Sequence, residues 1–235
     1  MRLDIYLTKK HDIQSRNKAQ ELIKSKKVLV DDKIIVKPSF IVEDNHTVKI
    51  EQDEFYVSRA AYKLKYFLEE NDIKVTNNVA LDIGSSTGGF TQILIASDVK
   101  SVTCVDVGSN QLHPSIKNDK RIIVKENTDI REFESVKKFD VVTCDVSFIS
   151  ILNIIEDIDR LSSNKIIILY KPQFEVGRNV KRDSKGMVLD DKTMRECRDQ
   201  FMFKTKELGW NLIISQQSKL AGKSGNVEEL FYFTI

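Results

Sequence analysis

The run Leu81-Asp82-Ile83-Gly84-Ser85-Ser86-Thr87-Gly88-Gly89-Phe90 decides how the larger part of this chain is read. It passes from an apolar, strand-like stretch into a helix expected to begin near Gly89. Gly84 permits a tight turn, while Gly88 and Gly89 let a ligand and the helix start approach the backbone closely. The spacing is Gly-x-x-x-Gly-Gly. That is not the Gly-x-Gly-x-x-Gly of dinucleotide folds, and no Gly-Lys-Ser/Thr of a P-loop follows, so dehydrogenase and NTPase readings lose ground.

Short β-branched runs recur on both sides of this loop, at residues 79–83, 102–107, 122–124, 141–144 and 166–170. Helical stretches lie between most of them, an alternation that predicts a parallel sheet covered on both faces. Ahead of the first strand, residues 57–70 have a helical stripe of Ala61, Leu64, Phe67 and Leu68. A long helix is expected over 191–208, followed by strands near 211–215 and 229–235. Asp106 ends the second strand, where a carboxylate can accept hydrogen bonds from a ribose diol. Asp129, after the third, is placed to take an adenine amino group.

Residues 1–50 read as a separate small unit. A first helix opens at Arg2-Leu3-Asp4, and Ser15 is a cap for a second helix over 16–25, with Ala19, Leu22 and Ile23 on one face. Val28 and Val30, then Ile34 and Val36, flank Asp31-Asp32-Lys33, a hairpin signal that lacks the usual glycine. Lys37-Pro38-Ser39 breaks the chain, and 47–50 closes as a strand. The first 50 residues hold 11 Lys/Arg against 7 Asp/Glu, whereas the whole chain holds 37 against 35. The near-neutral total therefore conceals a basic N-terminal end, an asymmetry that suggests a nucleic-acid-facing module.

Composition sets the remaining bounds. Charged residues make up 31% and the hydrophobic set 41%, a globular balance rather than a disordered one. No apolar run approaches the ~20 residues of a membrane span, and residues 1–10 lack a signal-peptide apolar region, so no membrane association is expected. Cys104, Cys144 and Cys197 form no metal-ligand pattern and cannot all pair internally, so no metal is expected and a reducing cytoplasm fits best.

The N-terminal order of elements, with Ser15-Arg16 and Lys37-Pro38-Ser39, resembles the S4 RNA-binding domain. Here Lys26-Lys27 stands where such modules usually have a glycine, and Val30-Asp31-Asp32 replaces a Val-Asn-Gly turn. The resemblance implies that Arg2, Arg16, Lys18, Lys26, Lys27 and Lys37 track RNA phosphates. The glycine loop with Asp106 and Asp129 resembles the S-adenosylmethionine site of Rossmann-like methyltransferases. That implies cofactor contacts from Asp82, Gly84, Ser85, Ser86, Thr87, Gly88, Gly89, Phe90, Asp106, Asp129 and Asp145.

Four charged residues occur where strands and helices converge: Lys63 in SRAAYKL, Asp145 in CDVSFIS, Lys171 in YKPQFEVGR and Glu228 in SGNVE. Their order resembles the catalytic tetrad of FtsJ-type ribose 2′-O-methyltransferases. With LDIGSSTGGFT, those stretches are similar to the pattern of the TlyA family of S4-containing ribosomal RNA 2′-O-methyltransferases. Ala60-Ala61, where glycines are common, and His113-Pro114 depart from it. The resemblance implies an α/β fold, a Rossmann-like methyltransferase sheet over residues 58–235 joined by a linker at 54–57 to a small α+β S4 domain at 1–53. It further implies ribose 2′-O-methylation of a cytidine in ribosomal RNA, large-subunit RNA favoured, with the ribosome or its subunit as partner.

Lys171 is the leading candidate to accept the 2′-hydroxyl proton, with the carboxylates orienting the amines and the hydroxyl. A free lysine is a poor base at neutral pH, so its surroundings have to prepare it. Base methylation is disfavoured, because Asp145-Val146-Ser147-Phe148 stands where amine methyltransferases carry Asn/Asp-Pro-Pro-Tyr/Phe. Phe148 is equally compatible with packing and with stacking on a flipped base. Arg59, Arg178, Lys181 and Arg182 are candidates to grip RNA phosphates. Two rival readings are S4-type RNA binding without catalysis and membrane lysis; the latter finds no apolar span or basic amphipathic segment in its favour.

Overall fold

The computed structural model describes the chain except residues 12, 14, 51–54, 178 and 223. It divides into two compact units, Met1–Phe55 and Tyr56–Ile235. The expected linker at 54–57 falls across that division. Val57 donates its N–H to Gln92 Oε1 at 2.9 Å, and Tyr56 packs against the larger unit's core.

In the smaller unit α1 (Leu3–Lys10) and α2 (Arg16–Lys24) pack on a three-stranded sheet of β1 (Val28–Val30), β2 (Lys33–Ile34) and β3 (Val48–Ile50), ordered β2-β1-β3. Ser15 Oγ accepts from Lys18 N at 3.2 Å and caps α2. The two turns that lack glycine are made by residues that accept the left-handed conformation instead. Lys26 ends α2 at φ +64°, while Asp31 and Asp32 sit at φ +49° and +61°. Two successive positive φ values, with Val30 paired to Lys33, make a type I′ hairpin turn. The second hairpin strand is shorter than expected, stopping at Ile34.

The larger unit begins with α3 (Arg59–Glu70), β4 (Val79–Ile83), α4 (Gly89–Ala96), β5 (Ser101–Val105), α5 (Pro114–Lys117) and β6 (Ile122–Lys125). It continues through β7 (Phe139–Cys144), α6 (Ile155–Leu161), β8 (Ser162–Tyr170), α7 (Pro172–Glu175), α8 (Asp191–Glu207), β9 (Asn211–Gln217) and β10 (Glu229–Thr234). The sheet order is β6-β5-β4-β7-β8-β10-β9, with β6 to β8 parallel and β10 antiparallel to both neighbours. Alternate residues of each strand face opposite sides. Leu81, Val142, Ile166 and Ile168 meet Ile155, Ile158 and Phe201 on one face, whereas Ala80, Val102, Val141 and Ile167 meet Leu64, Phe67 and Leu94 on the other. Chain order reverses beside β4, so its carboxyl end and that of β7 open a crevice.

The I′ turn predicts a stabilising substitution. Asp32→Gly relieves a left-handed residue and loses only a surface ion pair with Lys49. It should stabilise the N-terminal unit by roughly 1 kcal/mol, seen as a higher denaturant midpoint for that unit within the full chain. A midpoint that stays put or falls would contradict the turn geometry.

Candidate active site

A cavity of about 350 Å³ opens at the carboxyl ends of β4, β5 and β7. Gly84, Ser86, Asp106, Asp129 and Asp145, all expected at the cofactor, line it together with Val107, Gln111, Ile130 and Val146. Gly84 lies at φ +75°, and a Cβ there would meet Val146 Cα at 3.1 Å. Any side chain would therefore push β4's loop away from β7. Asp106 accepts Ser86 N at 2.8 Å and Gly108 N at 2.7 Å, with Gln111 Nε2 at 3.5 Å. A carboxylate offers about four lone-pair sites, so Asp106 keeps capacity for a diol at the cavity edge. Glu126 folds the adjoining loop by accepting the N–H groups of Asn110, Gln111 and Leu112.

The rest of the glycine run acts behind the cavity rather than in it; Asp82, Ser85, Thr87, Gly88, Gly89 and Phe90 are not in its lining. Asp82 is fully buried and accepts Thr91 Oγ1 at 2.6 Å and Thr143 Oγ1 at 2.9 Å, tying β4 to α4 and β7. Burial without a counter-charge pushes its carboxyl up to about 7. Ser85 O accepts Gly88 N at 2.7 Å, and Thr87 O accepts His113 N at 3.2 Å. Gly88 leaves room for Leu112 and Ile116, and Gly89 for Ser58, Ala60 and Ala61 at the start of α3. Phe90 belongs to the core. Asp129 reaches the cavity, yet Arg131 grips both its oxygens, at 2.9 and 2.5 Å, which holds its carboxyl down at about 2.

Beside this cavity the four candidate catalytic residues form two ion pairs. Lys63, from α3, meets Glu228 Oε2, and both are under a tenth exposed. Lys171, at the end of β8, lies 2.6 Å from Asp145 Oδ1 at the end of β7. Its directed hydrogen bonds go to Ser147 Oγ at 3.0 Å and Asp145 O at 3.4 Å. Burial raises Asp145's carboxyl above the usual range, with Lys171 opposing. Gln173 Nε2 donates to Glu228 Oε1 at 3.0 Å. A second cavity of about 440 Å³, sharing Phe148 and Ile149 with the first, adds Gln173, Phe174 and Glu175. Phe148 is 91% exposed at φ +68°, a strained position for a bulky residue, and its ring is 5.0 Å from that of Phe174. Glu175 is spent on Ser150 Oγ at 2.5 Å and Ile151 N at 3.0 Å.

Residues 56–234 match the FtsJ-like methyltransferase family, and residues 1–48 match the S4 domain. The chain belongs to the TlyA family of FtsJ-like methyltransferases. It is 47% identical to the 23S rRNA (cytidine-2′-O)-methyltransferase TlyA of Campylobacter jejuni, over 99% of each chain. The 16S/23S rRNA (cytidine-2′-O)-methyltransferase TlyA of Mycobacterium tuberculosis is 37% identical, over 97% of this chain and 87% of that one. A solved structure from Lactococcus lactis that carries a hemolysin label has a TM-score of 0.70 at 33% identity, covering 76% of this chain and 88% of that one. Among the described residues no helix of this TlyA-family chain is long and apolar enough to cross a membrane.

The cations expected at RNA divide into two kinds. Arg2 and Arg16 both hold the fully buried Asp4, at 3.1 and 2.9 Å, and with Gln20 keep its carboxyl far below the usual range. Their side chains are nonetheless 41% and 53% exposed. Lys18 pairs with Glu21 at the surface, whereas Lys26 and Lys37 are exposed and Lys27 is half-buried. Arg59 donates to Ala221 O at 3.1 Å; Arg182 donates to Gln173 O at 2.9 Å and Gly177 O at 2.8 Å. Both organise the loops around the tetrad. Lys181 is exposed, and Arg178 lies outside the described residues. Gln111, Ser147, Gln173 and Glu126 carry site contacts that sequence reasoning missed. Gln173 sat inside the YKPQFEVGR stretch, but its spacing alone named no partner.

Asp82 predicts a pH-dependent stability. Its folded carboxyl titrates near 7 against an ordinary 3.8, so between those values the folded chain keeps a proton that the unfolded chain has lost. This group's contribution is complete below about pH 4 and declines as pH rises through about 7. Asp82→Asn, which cannot ionise, should gain thermal midpoint relative to wild type as pH is raised from about 5 to about 8. A constant difference across that range would refute the assignment.

Proposed function

We propose that this chain methylates the ribose 2′-hydroxyl of a cytidine in ribosomal RNA, using S-adenosylmethionine, with Lys63, Asp145, Lys171 and Glu228 as the catalytic set. The observation that carries the reading is the pairing of two buried lysines with two carboxylates in one crevice, next to a cavity suited to a nucleoside. Asp106 has the capacity for the ribose diol, Val107 and Ile130 offer apolar flanks for the adenine, and Gly84 allows close approach. Asp129 is left a smaller part, since Arg131 already occupies its carboxylate. When bound, S-adenosylmethionine supplies an electrophilic methyl group on a sulfonium.

The chain's own residues then handle alignment and the proton. Asp145 and Ser147 fix Lys171 Nζ, which, once it has given up its own proton, accepts the 2′-hydroxyl proton as the oxygen becomes methylated. Glu228 holds Lys63 so that a second positive group faces the same crevice, favouring negative charge on the attacking oxygen. The near-complete match to a relative named for 23S rRNA favours large-subunit RNA. Phe148 and Phe174 present aromatic surface on which an unpaired base can stack. Lys26, Lys37 and the outer edges of Arg2 and Arg16 supply phosphate contacts from the S4 unit.

Two measurements test this. Lys171→Ala should cut methyl transfer to large ribosomal subunits by at least about 100-fold, the usual scale for a proton-transfer group, with S-adenosylmethionine affinity nearly unchanged; full activity would remove Lys171 from the mechanism. Mapping ribose methylation in ribosomal RNA from cells with and without the gene should reveal one or more cytidines that lose the modification. S4-dependent binding with no such loss would favour the non-catalytic RNA-binding reading instead.

A further inference from the structure

Gln173 stands two residues after Lys171, at a point where the backbone is clamped. Its carbonyl receives the Arg182 guanidinium at 2.9 Å, and the same Nη2 reaches Gly177 O at 2.8 Å. Its side chain is oriented by chemistry. Glu228 is buried and accepts only, so the amide must turn its NH₂ toward Oε1, where the separation is 3.0 Å. The amide oxygen then has to face away from Glu228. There Gln173 Oε1 is buried and, among the described residues, has no hydrogen-bond partner. A buried acceptor left without a donor costs free energy, and such groups call for an explanation.

The surroundings narrow what could supply the donor. Gln173 lines the cavity that also contains Phe148 and Phe174. Of the other polar side chains that line it, Glu175 is engaged by Ser150 and Ile151, Ser150 Oγ by Glu175 and by Leu152 N at 3.2 Å, and Arg182 by the Gln173 and Gly177 carbonyls, whereas Asn153 is exposed to solvent. Among the described residues lining that cavity, Gln173 Oε1 is therefore the buried side-chain acceptor left unspent, and it shares the lining with two aromatic rings.

We propose that Gln173 selects the target base, accepting a hydrogen bond on its amide oxygen from the exocyclic amino group of cytosine while the ring lies against Phe148 and Phe174. This rests on the ribose-methylation reading above. Uracil presents a carbonyl at the same position, so acceptor would face acceptor and Gln173 would remain unpaired. The amide cannot flip to accommodate uracil, because Glu228 would then meet the carbonyl oxygen. The carboxylate that anchors Lys63 thus also sets the polarity of base reading.

The test uses the full chain and large ribosomal subunits reconstituted with cytidine, uridine or a pyrimidine bearing only hydrogen at C4 at the modified position. Wild type should methylate cytidine roughly 10- to 100-fold faster than the other two under single-turnover conditions, the scale of one directed base contact. Gln173→Met, which keeps length but removes both polar atoms, should bring the three rates within about threefold of one another, with cytidine slowed the most and any slowing shared by all three reporting the lost contact to Glu228. Equal slowing on all three substrates would mean that Gln173 only supports Glu228, and would overturn the inference. So would wild-type rates that ignore the C4 substituent, a comparison that does not depend on how the variant folds. Failure of wild type to methylate any of these RNAs would instead overturn the ribose-methylation reading, and this inference with it.

Discussion

Charge buried away from water must be compensated, and the larger unit meets that constraint with two lysines and two carboxylates whose charges sum to zero. An isolated buried ion costs several kcal/mol, and each of the four is held against an opposite charge. The pairs also tie together distant chain segments, α3 to the start of β10 and the end of β8 to the end of β7. Neighbouring features follow from holding these pairs. A Cβ on Gly222 would run into Glu228 Oε1, and Arg59 grips the carbonyl of Ala221 beside it. Gln173 occupies the remaining acceptor edge of Glu228.

Asp82 solves the same problem in the opposite way. Among the described residues no cation pairs with it, so it keeps its proton to higher pH and is satisfied by two threonine hydroxyls. The contrast separates roles among carboxylates that look alike in sequence. Asp145 and Glu228 each face a lysine at the strand ends beside the cavity, whereas Asp82 braces the strand, helix and neighbouring strand from which the glycine loop springs. In the N-terminal unit Asp4 is a third case, a buried carboxylate gripped by arginines that still show an outer edge to solvent. Part of the basic surface there is thus anchored by the interior rather than carried on mobile side chains.

Much of the architecture was legible because its causes are local. Alternating β-branched runs and helical stripes announced the covered parallel sheet, and Ser15 announced the start of α2. The hairpin was readable despite its missing glycine, since Asp tolerates left-handed backbone better than most residues. The glycine run was only half legible. Its composition signalled close approach, but could not say to what: Gly84 accommodates β7's loop, whereas Gly88 and Gly89 accommodate Leu112, Ile116 and the start of α3.

By itself the sequence determined the two-part organisation, the strand–helix alternation, the glycine loop and the identity of the four charged residues, all properties of short windows or of a linear pattern. Tertiary structure alone decided who partners whom. Lys63 and Glu228 are 165 positions apart, and no periodicity relates them. The same holds for Arg182, which reads as a surface cation in sequence yet spends its guanidinium on the Gln173 and Gly177 carbonyls, and for Gln173, whose polarity is set by Glu228. Hydrogen bonds and ion pairs depend on distance and direction in space, and these exist only once the sheet has brought its strand ends together.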